Sequence, residues 1–193
     1  TMSSEVLNTK ARLLAAAFEL IGRESAANFS TRAICDIANV TAPTLYHHFG
    51  SADGLLSAVI SEAFDQFLAS KRARNSPDPI LALVQSWDAY VEFAAARPRL
   101  YGAMMARFLT GADLPAAREG QAMLSSSIMQ IDAADLLAIP PAAAVQLIWV
   151  SANAAALMFL AAKMQPGLAI REPDAAILAT MRDSAIKIIC KPT

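Results

Sequence analysis

Glycine is scarce in this chain, seven residues in 193, and no Gly-rich phosphate loop or Gly-x-Ser-x-Gly element occurs. Most nucleotide-binding folds and the strained nucleophile elbow are thereby excluded, since both need glycine at fixed positions. Histidine is rarer still: the two present, His47 and His48, are adjacent. Neighbours on a helix point about 100° apart, so the pair cannot converge on one ion. No His-x-x-x-His element accompanies them, and Asp132 with Asp135 reads as a solvated helix face. Only two cysteines occur, Cys35 and Cys190, without the spacing of a disulfide framework or a zinc site. A reducing, cytoplasmic setting follows, with Cys35 expected as a buried packing thiol. Neither charge dominates, 16 Lys and Arg against 17 Asp and Glu, so any nucleic-acid contact must be local. The opening Thr-Met-Ser-Ser-Glu-Val has no basic segment ahead of an apolar run, and no secretion signal is expected. Neither an enzyme, a metal site nor a cofactor is expected.

What remains is strongly apolar: 55% of residues are hydrophobic and 17% charged, ample for a core. Period-two alternation is almost absent, whereas apolar residues recur at i, i+3, i+4 and i+7 nearly everywhere. The chain is therefore expected to be all-α, with about nine helices. Leu7, Leu14, Phe18 and Ile21 stripe a first helix from about Ser4 to Glu24, followed by a connection over 25–29. Two short helices follow, one after Ser30 or Thr31 and one from Ala42 to His48. Asn39 makes the turn between them, Thr41 caps the second, and Pro43 sits in its first turn. Ser51 caps a long fourth helix that ends near Arg74. Beyond the Ser76-Pro77-Asp78-Pro79 loop, helices are expected at about 80–96, 99–109, 116–137, 141–164 and 173–191. The stretch 142–162 carries no charge and is long enough to span a bilayer, which takes about 20 residues. Its alanine dominance, with Gln146, Ser151 and Asn153, reads instead as an enclosed helix at a subunit contact, not a membrane anchor.

Two short helices joined by a tight turn, the second carrying Thr44, Tyr46, His47 and His48, have the layout of a helix-turn-helix. Ile34, Ala38, Val40 and Leu45 let the two pack closely, and small residues at the second helix's start can approach base edges. The run from Ser30-Thr31-Arg32 through Ile37-Ala38-Asn39-Val40-Thr41-Ala42-Pro43-Thr44-Leu45-Tyr46-His47-His48-Phe49 to Ser51-Ala52-Asp53-Gly54-Leu55-Leu56 resembles the DNA-binding segment of TetR-family repressors. The resemblance spans about 50 residues. It implies that Thr31 and Tyr46 bind phosphates, that Arg32 and His48 touch the backbone or a nearby base, and that Ala42, Pro43, Thr44 and His47 face the bases, with Thr41 a further DNA-binding candidate. Two positions depart from the family pattern. Asn39 replaces the usual turn glycine, which a left-handed conformation tolerates. Ala52 replaces a lysine usually aimed at phosphate, and residues 1–55 carry a net charge of -1, so few phosphates are neutralised and a shallow salt dependence is expected.

The C-terminal half from Tyr90 to Met105 resembles the ligand-binding part of one TetR subgroup, which also carries Trp-x-x-x-His-Gly. Here Trp149 is followed by Asn153 and Ala154 at the last two positions. Trp87, Tyr90, Met104, Met105, Phe108, Met123, Trp149, Asn153 and Met158 are candidate pocket residues, with Asn153 orienting the ligand. Leu147, Val150, Ala154, Leu157 and Ala161 form one small-residue stripe and Ile177, Met181 and Ile188 another, expected to pair with a twofold mate. The expectation is a homodimer with DNA-binding residues 1–50 and ligand-binding and dimerisation residues 51–193. It would hold a palindromic double-stranded operator, released by a small hydrophobic or aromatic inducer. The alternative is an all-helical small-molecule-binding protein with an impaired DNA head.

Overall fold

The computed structural model describes residues 2–23, 29–73 and 76–192, and the side chains of 8–22, 29–69 and 76–192. Glu24, residues 25–28 of the first connection, and the end of the long helix at Arg74 lie outside the described residues. Among those described there are nine α-helices and no named strand. They are α1 (Met2–Arg23), α2 (Thr31–Ala38), α3 (Ala42–Phe49), α4 (Ala52–Ala73) and α5 (Pro79–Ala96), then α6 (Pro98–Leu109), α7 (Pro115–Ala133), α8 (Pro141–Met164) and α9 (Ala175–Ile189). A single 3-10 turn, Pro166–Leu168, lies between the last two.

Local chemistry sets the early boundaries. Ser30 caps α2, its hydroxyl accepting the Ala33 N–H at 3.4 Å. Asn39 ends it at φ 51°, ψ 55°; its own N–H donates to the Asp36 carbonyl, and Val40 N–H reaches the Cys35 carbonyl at 3.0 Å. This paired closure uses the left-handed residue for which asparagine is suited. Thr41 opens α3 but departs from its expected role: its hydroxyl meets the Thr44 hydroxyl at 2.9 Å and caps no backbone N–H. Pro43, in the first turn, has no N–H to offer, which removes one of the two usual targets of a cap. Ser51 caps α4 through the Gly54 N–H at 2.9 Å. An added Cβ on Gly54 would lie 2.0 Å from the Phe49 carbonyl oxygen, so glycine is what lets α4 leave directly from the end of α3.

Two apolar cores share the molecule. In the first, Leu13, Leu20 and Ile21 of α1 meet Ile34 of α2, Leu45 of α3 and Leu55, Leu56, Val59 and Ile60 of α4. This core continues along α4 to Phe64 and Leu68 and takes in Phe93, Leu100, Tyr101 and Met104. The second core joins Leu83, Trp87 and Val91 of α5, Ile128 and Ile131 of α7, Ile148, Ala155 and Phe159 of α8, and Ala185 and Ile189 of α9. Helix α8 packs on α5, α6, α7 and α9 at once. Its length and composition would also suit a membrane span, but four helices already bury one side of it.

Two later helices differ most from expectation, and α9 also ends at Ile189, short of Lys191. Helix α7 ends at Ala133, where Asp135 turns at φ 57°, and not at Leu137. Leu137 instead pairs with Cys190; Lys191 N–H donates to Leu136 and Ala138 N–H to Ile189. Helix α9 starts after Asp174, whose carboxylate accepts the Ile177 N–H at 2.9 Å, so Pro173 lies outside it.

Candidate functional site

Helix α3 turns one face inward and one outward. Leu45 is fully buried and fastens the helix to α1, α2 and α4. Ala42, Pro43 and His47 are exposed, and Tyr46 is 47% exposed with its phenol outside the core. Thr44 and His48 are half-buried, and the His48 ring leans on Phe49 with centroids 6.2 Å apart. On α2, Arg32 is exposed and Thr31 half-buried, both in the first turn. The nine candidate contact residues therefore lie within α3, the residue that opens it, and the start of α2. Such a face, thin at one end and carrying hydroxyl, phenol and imidazole groups, has the donors that phosphate and base edges require.

Arg12 has a role that sequence patterning does not reveal. Its guanidinium donates to the carbonyls of Ala38 and Asn39, tying α1 to the turn between α2 and α3. This charge holds the end of α2. Lys10 and Arg32 remain exposed cations of this unit, and Ala52 begins α4 with no charge of its own. At the start of α4, Asp53 is met by Arg107 of α6, at 3.1 Å, and the same guanidinium donates to the Ser57 hydroxyl at 2.9 Å.

In the larger half, α4, α5, α6, α7 and α8 line a cavity of about 1020 Å³ that opens to solvent. Trp87, Tyr90, Met104, Met105, Phe108, Met123, Trp149 and Asn153 all line it. Met158 does not, which corrects the expectation: it follows Ala154 and Leu157 onto the outward stripe of α8 and is 40% exposed. Phe64, Phe67 and Leu68 also line the cavity, although their spacing on α4 reads only as core. Gly120 brings α7 against α4 here; a Cβ on it would come within 2.8 Å of the Phe64 ring.

Asn153 is buried and its amide is already engaged. Its Oδ1 accepts from the Tyr90 phenol at 2.9 Å and the Tyr101 phenol at 3.1 Å, and its Nδ2 donates to the Trp149 carbonyl at 2.8 Å. Asn153, expected to orient a ligand, thus has its carbonyl engaged by two tyrosines. Burial pushes the Tyr101 phenol up to about 12 and raises that of Tyr90 further, so both stay neutral at physiological pH. Trp87 is held similarly, its indole N–H donating to the Ser151 hydroxyl at 2.9 Å.

Helices α8 and α9 pack together and leave an apolar outer face. Val150, Ala154 and Leu157 are exposed on α8, with Leu147 and Ala161 half-buried beside them. On α9, Ile177 and Ile188 are exposed and Met181 is half-buried. Among the described residues, no group of three or more His, Cys, Asp or Glu gathers as for a metal ion.

Residues 13–59 match the sequence model of the family described as bacterial regulatory proteins, tetR family. The HTH-type transcriptional regulator UidR of Escherichia coli (strain K12) is 35% identical over 71 residues, 37% of this chain and 36% of that protein. The HTH-type transcriptional regulatory protein RaaS of Mycobacterium tuberculosis is 34% identical over 97 residues, 49% of this chain and 45% of that protein. The match thus spans about a third of UidR and less than half of RaaS. A solved TetR-family transcriptional regulator from Pectobacterium atrosepticum superposes with a TM-score of 0.69 at 26% identity, covering 98% of each chain.

Proposed function

We propose that this chain, which belongs to the TetR family by its N-terminal domain, is a cytoplasmic, ligand-responsive transcriptional regulator that acts without a catalytic step. Residues 1–50 read DNA, and residues 51–193 bind ligand and dimerise. The observation that carries this reading is the double role of α4. Its first turns, Leu55 to Ile60, share a core with the helix-turn-helix, and its later residues Phe64, Phe67 and Leu68 form a wall of the cavity. A molecule that fills the cavity presses on the helix that orients the head. The apolar outer face of α8 and α9 pairs with a second copy, which sets two α3 helices for half-sites about 34–36 Å apart on a palindromic duplex. Repression, released by a hydrophobic inducer, follows if the ligand favours a spacing that the operator does not; a tenfold change in operator affinity needs about 1.4 kcal/mol of coupling.

The test is selection of bound duplexes from a random pool at low salt, followed by titration of the recovered sequence at several salt concentrations. Enrichment of a palindrome is expected, with loss of binding in Tyr46→Ala and Thr44→Ala and intact dimerisation. Arg12 is engaged and Ala52 uncharged, so the slope of log K against log salt should be no steeper than about -4 for the dimer, as for roughly two neutralised phosphates per head. Failure of a folded dimer to enrich any duplex would favour the second reading, a ligand-binding protein with an impaired head, for which Ala52 speaks.

A further inference from the structure

The cavity also constrains what enters it, and this inference rests on the ligand-binding reading above. Of its lining residues, just two carry a formal charge, Asp113 and Arg118, and they stand at the rim. They bond to each other, with side chains 71% and 68% exposed. The walls are mainly methionine, aromatic and aliphatic groups, interrupted by the uncharged side chains of Ser86 and Ser125 and, at exposed positions, Gln121 and Gln146. Two aromatic clusters face the space: Phe108 with Trp149, ring centroids 5.9 Å apart, and Phe67 with Phe64 and Tyr90, at 5.0 and 6.0 Å. Of the aromatic and amide groups on the lining, the Tyr90 phenol is committed to Asn153, the Trp87 indole to Ser151 behind the wall, and Asn153 also accepts from Tyr101 outside the lining.

We propose that the cavity accepts an uncharged, lipophilic molecule larger than one ring and discriminates against both carboxylate-bearing and ammonium-bearing analogues. The reason is desolvation. An ion entering this space leaves its hydration shell and meets no buried opposite charge, while the rim pair offers only a screened, already satisfied partner. A neutral ring loses little water that it binds strongly and gains contact with polarisable methionine sulfur and ring edges. At about 1020 Å³ the space stands at the upper end of the size range for small-molecule sites, so a single small ring leaves most of it unfilled.

The experiment uses the full chain and an uncharged reporter, N-phenyl-1-naphthylamine, whose emission rises in apolar surroundings. Three competitors share one ring system and differ in charge at pH 7: 1-naphthalenemethanol, 1-naphthoate and 1-naphthylmethylammonium. Saturable reporter uptake is expected, with the alcohol displacing it at a concentration at least tenfold below that needed for either ion. An ion that competes as well as the alcohol overturns the inference while leaving the cavity a ligand site. Absence of saturable uptake by the folded chain overturns the ligand-binding reading as well. Ser125→Lys, which places a cation in the lining from a half-buried position, should improve naphthoate at least fivefold relative to the alcohol. An unchanged ratio in that variant would mean that the competitors bind elsewhere, and the assignment falls.

Discussion

At the scale of single residues, the most consequential side chain is Asn153, because three groups from three helices depend on one amide. The Tyr90 phenol of α5 and the Tyr101 phenol of α6 donate to its Oδ1, and its Nδ2 binds the Trp149 carbonyl within α8. Asn153→Ala leaves the Tyr90 phenol without an acceptor and the Tyr101 phenol with only the backbone carbonyl of residue 153 at 3.4 Å, so a loss of about 1–4 kcal/mol is expected in urea unfolding. An effect below about 1 kcal/mol would mean that water replaces the amide. The same tyrosines predict an alkaline weakness. Their phenols are raised in the folded state, so the unfolded chain ionises first: this contribution is intact below pH 10 and is lost as pH climbs toward about 12. Melting temperature measured from pH 9 to 12 should fall more steeply for the parent than for Tyr90→Phe/Tyr101→Phe, compared as slopes because the double variant starts less stable. Sequence reasoning picked out Asn153 as a polar residue in an apolar helix and placed Tyr90 with it among the pocket candidates, but not Tyr101 or the bonds that join them across 52 and 63 positions.

Among the elements, α6 is the one whose position matters beyond packing. Met104, Met105 and Phe108 put three of its residues on the cavity, and Arg107, on the same helix, reaches Asp53 and Ser57 in the first turns of α4. Under the proposed function, a shift of α6 on ligand entry would pull on α4 next to its junction with α3. Arg107→Ala should leave reporter uptake and dimerisation within about twofold of the parent yet reduce the effect of a bound ligand on operator affinity by at least threefold. Equal ligand effects in parent and variant would remove Arg107 from the transmission route. The pair with Asp53 is mostly solvent-facing on the carboxylate side, so its own contribution to stability is small, and coupling is the informative readout. Element boundaries were legible in the sequence wherever a cap or a break is local, as at Ser30, Asn39, Ser51 and Pro141. They failed at α7, where Leu136 and Leu137 continue the apolar pattern but are claimed by backbone pairing with Cys190 and Lys191, more than 50 residues on. No local signal marks a partner that distant.

For the whole molecule, the helical fold was legible in the periodicity and the helix-turn-helix in one short motif, and a resemblance pointed to the region of the cavity, while the bond network between halves was not legible. The outer face of α8 and α9 bears on function at this scale. Val150, which also borders the cavity, is 58% exposed and Ile188 55%, on the face proposed above to meet a second copy. Under the proposed function, pairing it in a twofold four-helix arrangement would make DNA binding bivalent: the second head would bind at the effective concentration set by the first. Leu157→Glu, an exposed position on that face, places two like charges near the symmetry axis and should give monomers in sedimentation at micromolar concentration with helix content unchanged. Linked binding of two sites exceeds either alone by about 10²–10⁴, so affinity for the palindromic duplex should fall at least about 100-fold, while a single half-site binds as weakly as it does to the parent. A monomeric variant that held the palindrome as tightly as the parent would show that the two heads act independently. The salt slope adds a second check, since a monomer that engages one half-site neutralises half the phosphates and should show about half the parent's slope.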